Sequence, residues 1–328
     1  MRQARRLSLY RPLVREVRRR LRAHPGHADL RDLLGLLLWK IGETGKAKEQ
    51  FEEAIRLNPG YRTATLHLGL LYLEMKRNEK AEETFLEAME KHRADSLMSF
   101  LLREAKGQKG GEGKTLQGQQ NRLKLEPRFP DRSKRRLGRI IPRTYLEAYC
   151  HGATGFFLAK MGKSGPAIRE IQKAVKRLPD EPLFRAHLGF AYYTQGAYKE
   201  AIEAYREAIR RKPDFGMAYA YLSYAYGAMG RTREALRFME KAVRINPGYA
   251  DFHYNMALLY SDRKRWREAE KELKEALRIN PRYLVARIHL GALYKEQKNY
   301  RAARREYRRV LEIDPDDEFA AKRLREIS

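Results

Sequence analysis

Apolar residues return along most of this chain at helical spacing, in short blocks separated by polar turns. In residues 250–283, Phe252, Met256, Leu259 and Tyr260 fall on one face of a first helix, and Ala269, Leu273 and Ala276 on one face of a second. Prolines mark the period. Pro25 and Pro59 are 34 residues apart, and Pro179, Pro213, Pro247, Pro281 and Pro315 follow one another at the same interval. With this Pro at position 32 of each unit, position 8 is small: Gly35, Gly69, Gly155, Gly189, Ser223, Ala257 and Gly291. Position 20 is Ala in every unit (47, 81, 167, 201, 235, 269, 303). Position 24 is large and apolar: Phe51, Phe85, Ile171, Tyr205, Met239, Leu273 and Tyr307. Tyr72, Tyr192, Tyr226, Tyr260 and Tyr294 share position 11.

The pattern has a direct physical reading. Small residues at positions 8 and 20 let two helices approach closely, and the large residue at 24 fills the space beside them. The Pro cannot continue a helix, because it lacks an amide proton and clashes with the preceding turn. One such pair cannot bury its apolar face alone, so pairs must stack.

These residues resemble the tetratricopeptide repeat, over units 28–61, 62–95, 148–181, 182–215, 216–249, 250–283 and 284–317. The resemblance implies an all-α fold, a right-handed α-solenoid of stacked 34-residue helix-turn-helix repeats. Residues 1–27, with Leu9, Leu13, Val17 and Leu21 on an Arg-rich helix, read as a capping helix or half repeat. Two repeats follow over 28–95, then an interruption over 96–147, five repeats over 148–317, and a capping helix over 318–328 with Phe319, Ala320, Leu324 and Ile327.

Within the interruption, Ser96 to Lys106 still reads as helix, with Leu97, Phe100 and Leu101 on one face. From Gly107 to Arg139 the composition turns to Gly, Gln, Lys and Arg, the signature of a basic, disordered loop. Lys109 to Thr115 (Lys-Gly-Gly-Glu-Gly-Lys-Thr) looks like a variant phosphate-binding loop, but such a loop needs a strand before it and an α/β domain around it. Repeats occupy both sides, so ATPase chemistry is excluded.

No other constellation offers catalysis. The eight histidines form no metal-binding pair four residues apart, and Cys150, the single cysteine, has no acid–base partner near it in sequence. The chain is therefore expected to be no enzyme and to hold no metal or cofactor. The resemblance implies instead a concave groove lined by the first helices, at positions 2, 5, 6, 9, 12 and 13. No unit has Lys at position 5 or Asn at position 9, which argues against a clamp for a C-terminal carboxylate. The groove is aromatic: Phe156, Phe190, Tyr193, Tyr221, Tyr224 and Tyr254, with His187 and Asn255 as polar points. Such rings give large contact area at low entropic cost.

Charge alters this picture in one respect. The formal net charge is +27. Residues 1–27 carry nine Arg and one Glu, and residues 96–147 carry thirteen basic against five acidic side chains, whereas 28–95 are slightly acidic. Arg132, Lys134, Arg135, Arg136 and Arg139 form a basic patch in the interruption, and Arg304, Arg305, Arg308 and Arg309 lie in the last repeat. The expected function is a scaffold that binds a partner peptide or helix in the groove. The alternative is a nucleic-acid-binding adaptor, or contact with another acidic partner, through the basic segments. The longest apolar runs, such as Leu33 to Trp39, are too short for a membrane span, and no secretory signal is visible, which points to the cytoplasm.

Overall fold

The computed structural model describes residues 2–91 and 134–327. The described residues form sixteen α-helices and no strand. Helix α1 spans Arg2–Ala23. The first two repeats follow as α2 (Ala28–Lys40), α3 (Thr44–Leu57), α4 (Arg62–Glu74) and α5 (Asn78–Lys91). Helices α6 (Lys134–Lys160) and α7 (Ser164–Arg177) form the third pair. Next come α8 (Pro182–Thr194), α9 (Tyr198–Arg211), α10 (Gly216–Ala228) and α11 (Thr232–Ile245). The chain closes with α12 (Ala250–Asp262), α13 (Trp266–Ile279), α14 (Leu284–Glu296), α15 (Tyr300–Ile313) and α16 (Glu318–Arg325). Two compact units result, residues 1–187 and 188–328.

Helix starts keep the period of the prolines because the stops do. The residue before each Pro is pushed out of the helical region. Accordingly the C-caps Asn58, Lys212, Asn280 and Asp314 are extended, with φ between −127° and −140°. The turn inside each pair is equally regular. Glu43 N–H donates to Leu38 O, and Gly42 N–H to Trp39 O, the two bonds of a Schellman motif. The same pair of bonds recurs in all seven units, down to Asn299 to Tyr294 and Lys298 to Lys295. The motif needs one residue with positive φ. Gly42, Gly162, Gly196 and Gly230 supply it at no steric cost, while Lys76, Lys264 and Lys298 adopt it at φ near 60°.

Positions 8, 20 and 24 act as the pattern requires. A Cβ on Gly189 would sit 2.6 Å from the Tyr205 ring, and one on Gly291 2.8 Å from that of Tyr307. Gly35 and Gly69 meet Phe51 and Phe85 in the same way. All seven alanines of position 20 are fully buried. Tyrosines of position 11 tie neighbouring repeats together: the Tyr72 hydroxyl donates to Glu52 at 3.2 Å and that of Tyr260 to Glu240 at 3.3 Å.

Helix α6 departs from the sequence expectation. It begins at Lys134, so residues 134–139 are helical where a loop was expected, and the helix runs on without a break into the third pair. The expected helix over 96–106, the glycine-rich stretch 107–133 and its phosphate-loop-like motif lie outside the described residues. No described helix is long and apolar enough to cross a membrane.

Candidate functional site

The candidate residues divide between the two compact units. Phe156 and His187 belong to the first. Their rings stack, with centroids 4.4 Å apart. Dense surroundings disfavour the imidazolium of His187 and hold its pKa down at about 3.

The other six lie in the second unit, on α8, α10 and α12. Each of Phe190, Tyr193, Tyr221, Tyr224 and Tyr254 is half-buried, with small Ala220 buried at position 5 of its repeat. Phe190 approaches Tyr221 with centroids 5.8 Å apart, and Tyr221 meets Tyr224 edge-on at 6.1 Å. Tyr221 also stacks on Tyr205, at 5.7 Å. Tyr193 pairs with Tyr198 at 5.6 Å. Further along, Tyr254 contacts Tyr283 at 5.3 Å and meets His289 edge-on at 5.4 Å. Burial raises the hydroxyl pKa of Tyr193, Tyr221, Tyr224 and Tyr254, so all four stay neutral donors at physiological pH. The side-chain amide of Asn255 donates back to the Asp251 carbonyl at 2.6 Å, within its own helix. Tyr283 hydrogen-bonds the exposed Asp251 carboxylate. The surface is thus aromatic, with the Asp251 carboxylate beside Tyr283.

Tetratricopeptide-repeat models match residues 33–96, 184–215, 228–276 and 262–326, together more than half of the chain. The chain belongs to the tetratricopeptide repeat family. Among solved structures it is similar to a thermophilic tetratricopeptide repeat protein of Thermus thermophilus, at 26% identity over 55% of this chain and 98% of that one, with a TM-score of 0.46. MamA of Desulfovibrio magneticus RS-1 is 17% identical over 52% of this chain and 97% of its own, with a TM-score of 0.46. YrrB, described as a tetratricopeptide repeat protein with an unusual peptide-binding site, is 18% identical over 53% and 90%, with a TM-score of 0.44. No curated protein matches the chain. Tetratricopeptide repeats are typically interaction scaffolds rather than catalysts. Among the described residues no group of three or more His, Cys, Asp or Glu side chains could hold a metal ion.

In these repeats, position 4 and position 23 carry an interaction that the sequence pattern did not expose, because the residue types change from unit to unit. Arg31 donates to Gln50 at 3.3 Å, His151 bonds Glu170 at 2.7 Å, His253 bonds Glu272 at 2.6 Å and Arg287 bonds Glu306 at 2.9 Å. In unit 216–249, Tyr219 and Phe238 stack at these positions instead, at 6.5 Å. Three of these residues also reach the carbonyl of the preceding Pro: Arg31 to Pro25, His253 to Pro247 and Arg287 to Pro281. Recurrence of a complementary pair 19 residues apart was the available signal. Glu272 raises the pKa of His253, since both ring nitrogens then donate. Burial outweighs Glu170 at His151 and lowers its pKa.

Of the basic patch, Arg132 lies outside the described residues. Lys134, Arg135, Arg136 and Arg139 fall on the first turns of α6, their side chains outside the description. Arg305 and Arg309 on α15 pair with Glu306, both at 3.4 Å.

Proposed function

We propose that the chain is a tetratricopeptide repeat adaptor whose second unit receives an apolar segment of a partner protein on the face formed by Phe190, Tyr193, Tyr221, Tyr224 and Tyr254. One observation supports this reading above the rest: five aromatic rings at groove positions are each left partly exposed, which costs solvation unless something covers them. The four tyrosine hydroxyls remain protonated and can orient a ligand by hydrogen bonding, while all five rings supply contact area. Phe156 and His187 extend the same positions in the first unit.

The test is affinity capture at moderate salt, with the intact chain compared against Phe190→Ala/Tyr193→Ala/Tyr224→Ala. The variant keeps its helical circular dichroism, because none of the three rings is fully buried. It loses the partner proteins that the intact chain recovers. Equal recovery by both would sink the reading.

A further inference from the structure

The outward faces of the second helices follow one rule in the second unit, and α15 breaks it. In α9, positions 22 and 26 are Glu203 and Glu207, which pair with Arg206 and with Arg210 and Arg211. In α13, positions 21 and 26 are Glu270 and Glu275, which pair with Lys274 and Arg278, both at 2.7 Å. Each face thus neutralises most of its own charge. In α15, positions 18, 21, 22, 25 and 26 are all Arg: Arg301, Arg304, Arg305, Arg308 and Arg309.

These five line a hollow of about 600 Å³, with Glu312 at its far end. They stand opposite the side on which α15 packs, where Ala302, Ala303, Glu306, Tyr307 and Val310 are buried. Counter-charge is scarce. Glu306 is buried and already holds Arg287 of α14 at 2.9 Å, and Arg305 and Arg309 reach the same carboxylate only at 3.4 Å. Arg301, Arg304 and Arg308 make no ion pair among the described residues. Like charges three and four residues apart destabilise a helix, and this face holds five such pairs, from 301–304 to 305–309. The packing of the repeat does not require them, since α9 and α13 fold with acids at the same positions.

The composition of the hollow selects its occupant. A protein interface centres on apolar or aromatic side chains, and none lines this one. Neither does any Asn or Gln that would read a base edge. Guanidinium groups in rows match phosphate, which each can hold through two N–H donors. From Arg301 to Arg309 the helix rises about 12 Å. A strand at duplex rise presents about three to four phosphates over that length, against five Arg.

We propose that the outer face of α15 binds a nucleic-acid strand by its phosphate backbone, without regard to base. The net charge of +27 draws such a polyanion to the chain from a distance. This site shares no residue with the aromatic face and stands or falls separately from it.

The full chain is titrated into fluorescein-labelled 20-nucleotide oligouridine, oligothymidine and a mixed-sequence 20-base-pair duplex, with anisotropy read between about 50 and 200 mM salt. Binding is expected to at least one of the three and to weaken with salt. Arg301→Gln/Arg305→Gln/Arg308→Gln, all at exposed positions, should weaken it at least about tenfold and flatten the plot of log affinity against log salt by about 2. Arg11→Gln/Arg15→Gln/Arg18→Gln removes the same charge from exposed positions of α1 and should change affinity less than about threefold. Circular dichroism checks that both variants keep their helices. Should the first lose helicity, Arg301→Gln/Arg308→Gln takes its place. Three outcomes overturn the proposal: no binding at the lowest salt, equal losses in the two triple variants, or tighter binding to a labelled 20-residue polyglutamate than to every oligonucleotide.

Discussion

The first helices of the two opening repeats and the first helix of a later one have opposite fates. In α2, every residue from Asp32 to Trp39 is buried, and in α4 every residue from Ala64 to Leu73. In α12, with the same length and the same place in its repeat, only Phe252, His253, Met256, Ala257 and Tyr260 are buried. The difference is written in side-chain type. The covered face carries Leu33, Leu36, Leu66, Leu70 and Leu73, whereas the half-open one carries Tyr221, Tyr224 and Tyr254. A helix that is apolar all round must be covered on all sides. A tyrosine can leave its polar end in water. A first-helix position in these repeats thus shows through its side chain whether something already lies on it.

Substitutions at matched positions can break that contrast, and the largest effect belongs to the covered face. Leu36 and Tyr224 both occupy position 9. Leu36→Asp strands a carboxylate at a site with no exposure and is expected to cost about 3–5 kcal/mol. Tyr224→Asp, on the half-open face, is expected to cost about 1–2 kcal/mol. Denaturant midpoints of the two variants measure the gap. Equal losses would mean that the two faces are covered alike.

Histidine titrations sharpen the contrast at the polar ties. His253 has its folded pKa raised above the ordinary value of 6.5. Its tie to Glu272 therefore contributes fully below pH 6.5 and weakens as pH rises through the folded value. His151 has its folded pKa lowered from 6.5. Its contribution is present above pH 6.5 and is lost as pH falls through the folded value. Imidazole proton resonances followed over pH should show His253 titrating above 6.5, His151 and His289 below it, and His187 near 3. A His253 midpoint below that of His151 would reverse the assignment.

The smallest effect is a control that ought not to distinguish the two regions. The positive-φ residue of each turn is a local demand. Lys76→Gly in the first unit, and Lys264→Gly or Lys298→Gly in the second, should each stabilise by about 0.5–1 kcal/mol. Gly162→Ala and Gly230→Ala should each cost about 1 kcal/mol. Melting temperatures of these five variants check it. A turn that responds in only one unit would show that tertiary packing, not backbone conformation, governs it.

The period, the helix pairs and the packing of positions 8, 20 and 24 were legible because they are local: Gly189 against Tyr205 is settled within one unit. The course of α6 was not. Pro142 and the run of Arg around it signal a boundary in any local reading, yet the helix continues through them from Lys134. Its seat on α2 and α4 depends on contacts such as Cys150 to Leu36, 114 residues apart. One clue was nonetheless present. The run from Leu33 to Trp39 is too apolar for a helix with an open face, and its brevity excluded only a membrane. Register singled out the aromatic candidates, but it could not foresee that Phe156 and His187 belong to a different compact unit from Phe190 and Tyr224.

The ties between positions 4 and 23 have a bearing on how such a chain reaches its fold at all. Arrays of similar repeats are prone to mispairing, in which a helix takes its neighbour's partner. Here successive units carry different pairs: Tyr219 with Phe238, His253 with Glu272, Arg287 with Glu306. A slip that set His253 opposite Phe238 would trade the bond to Glu272 for an aromatic ring that cannot accept it as a carboxylate does. The variation that hides these pairs from a consensus thus sets a cost on a helix that takes its neighbour's partner in these three units.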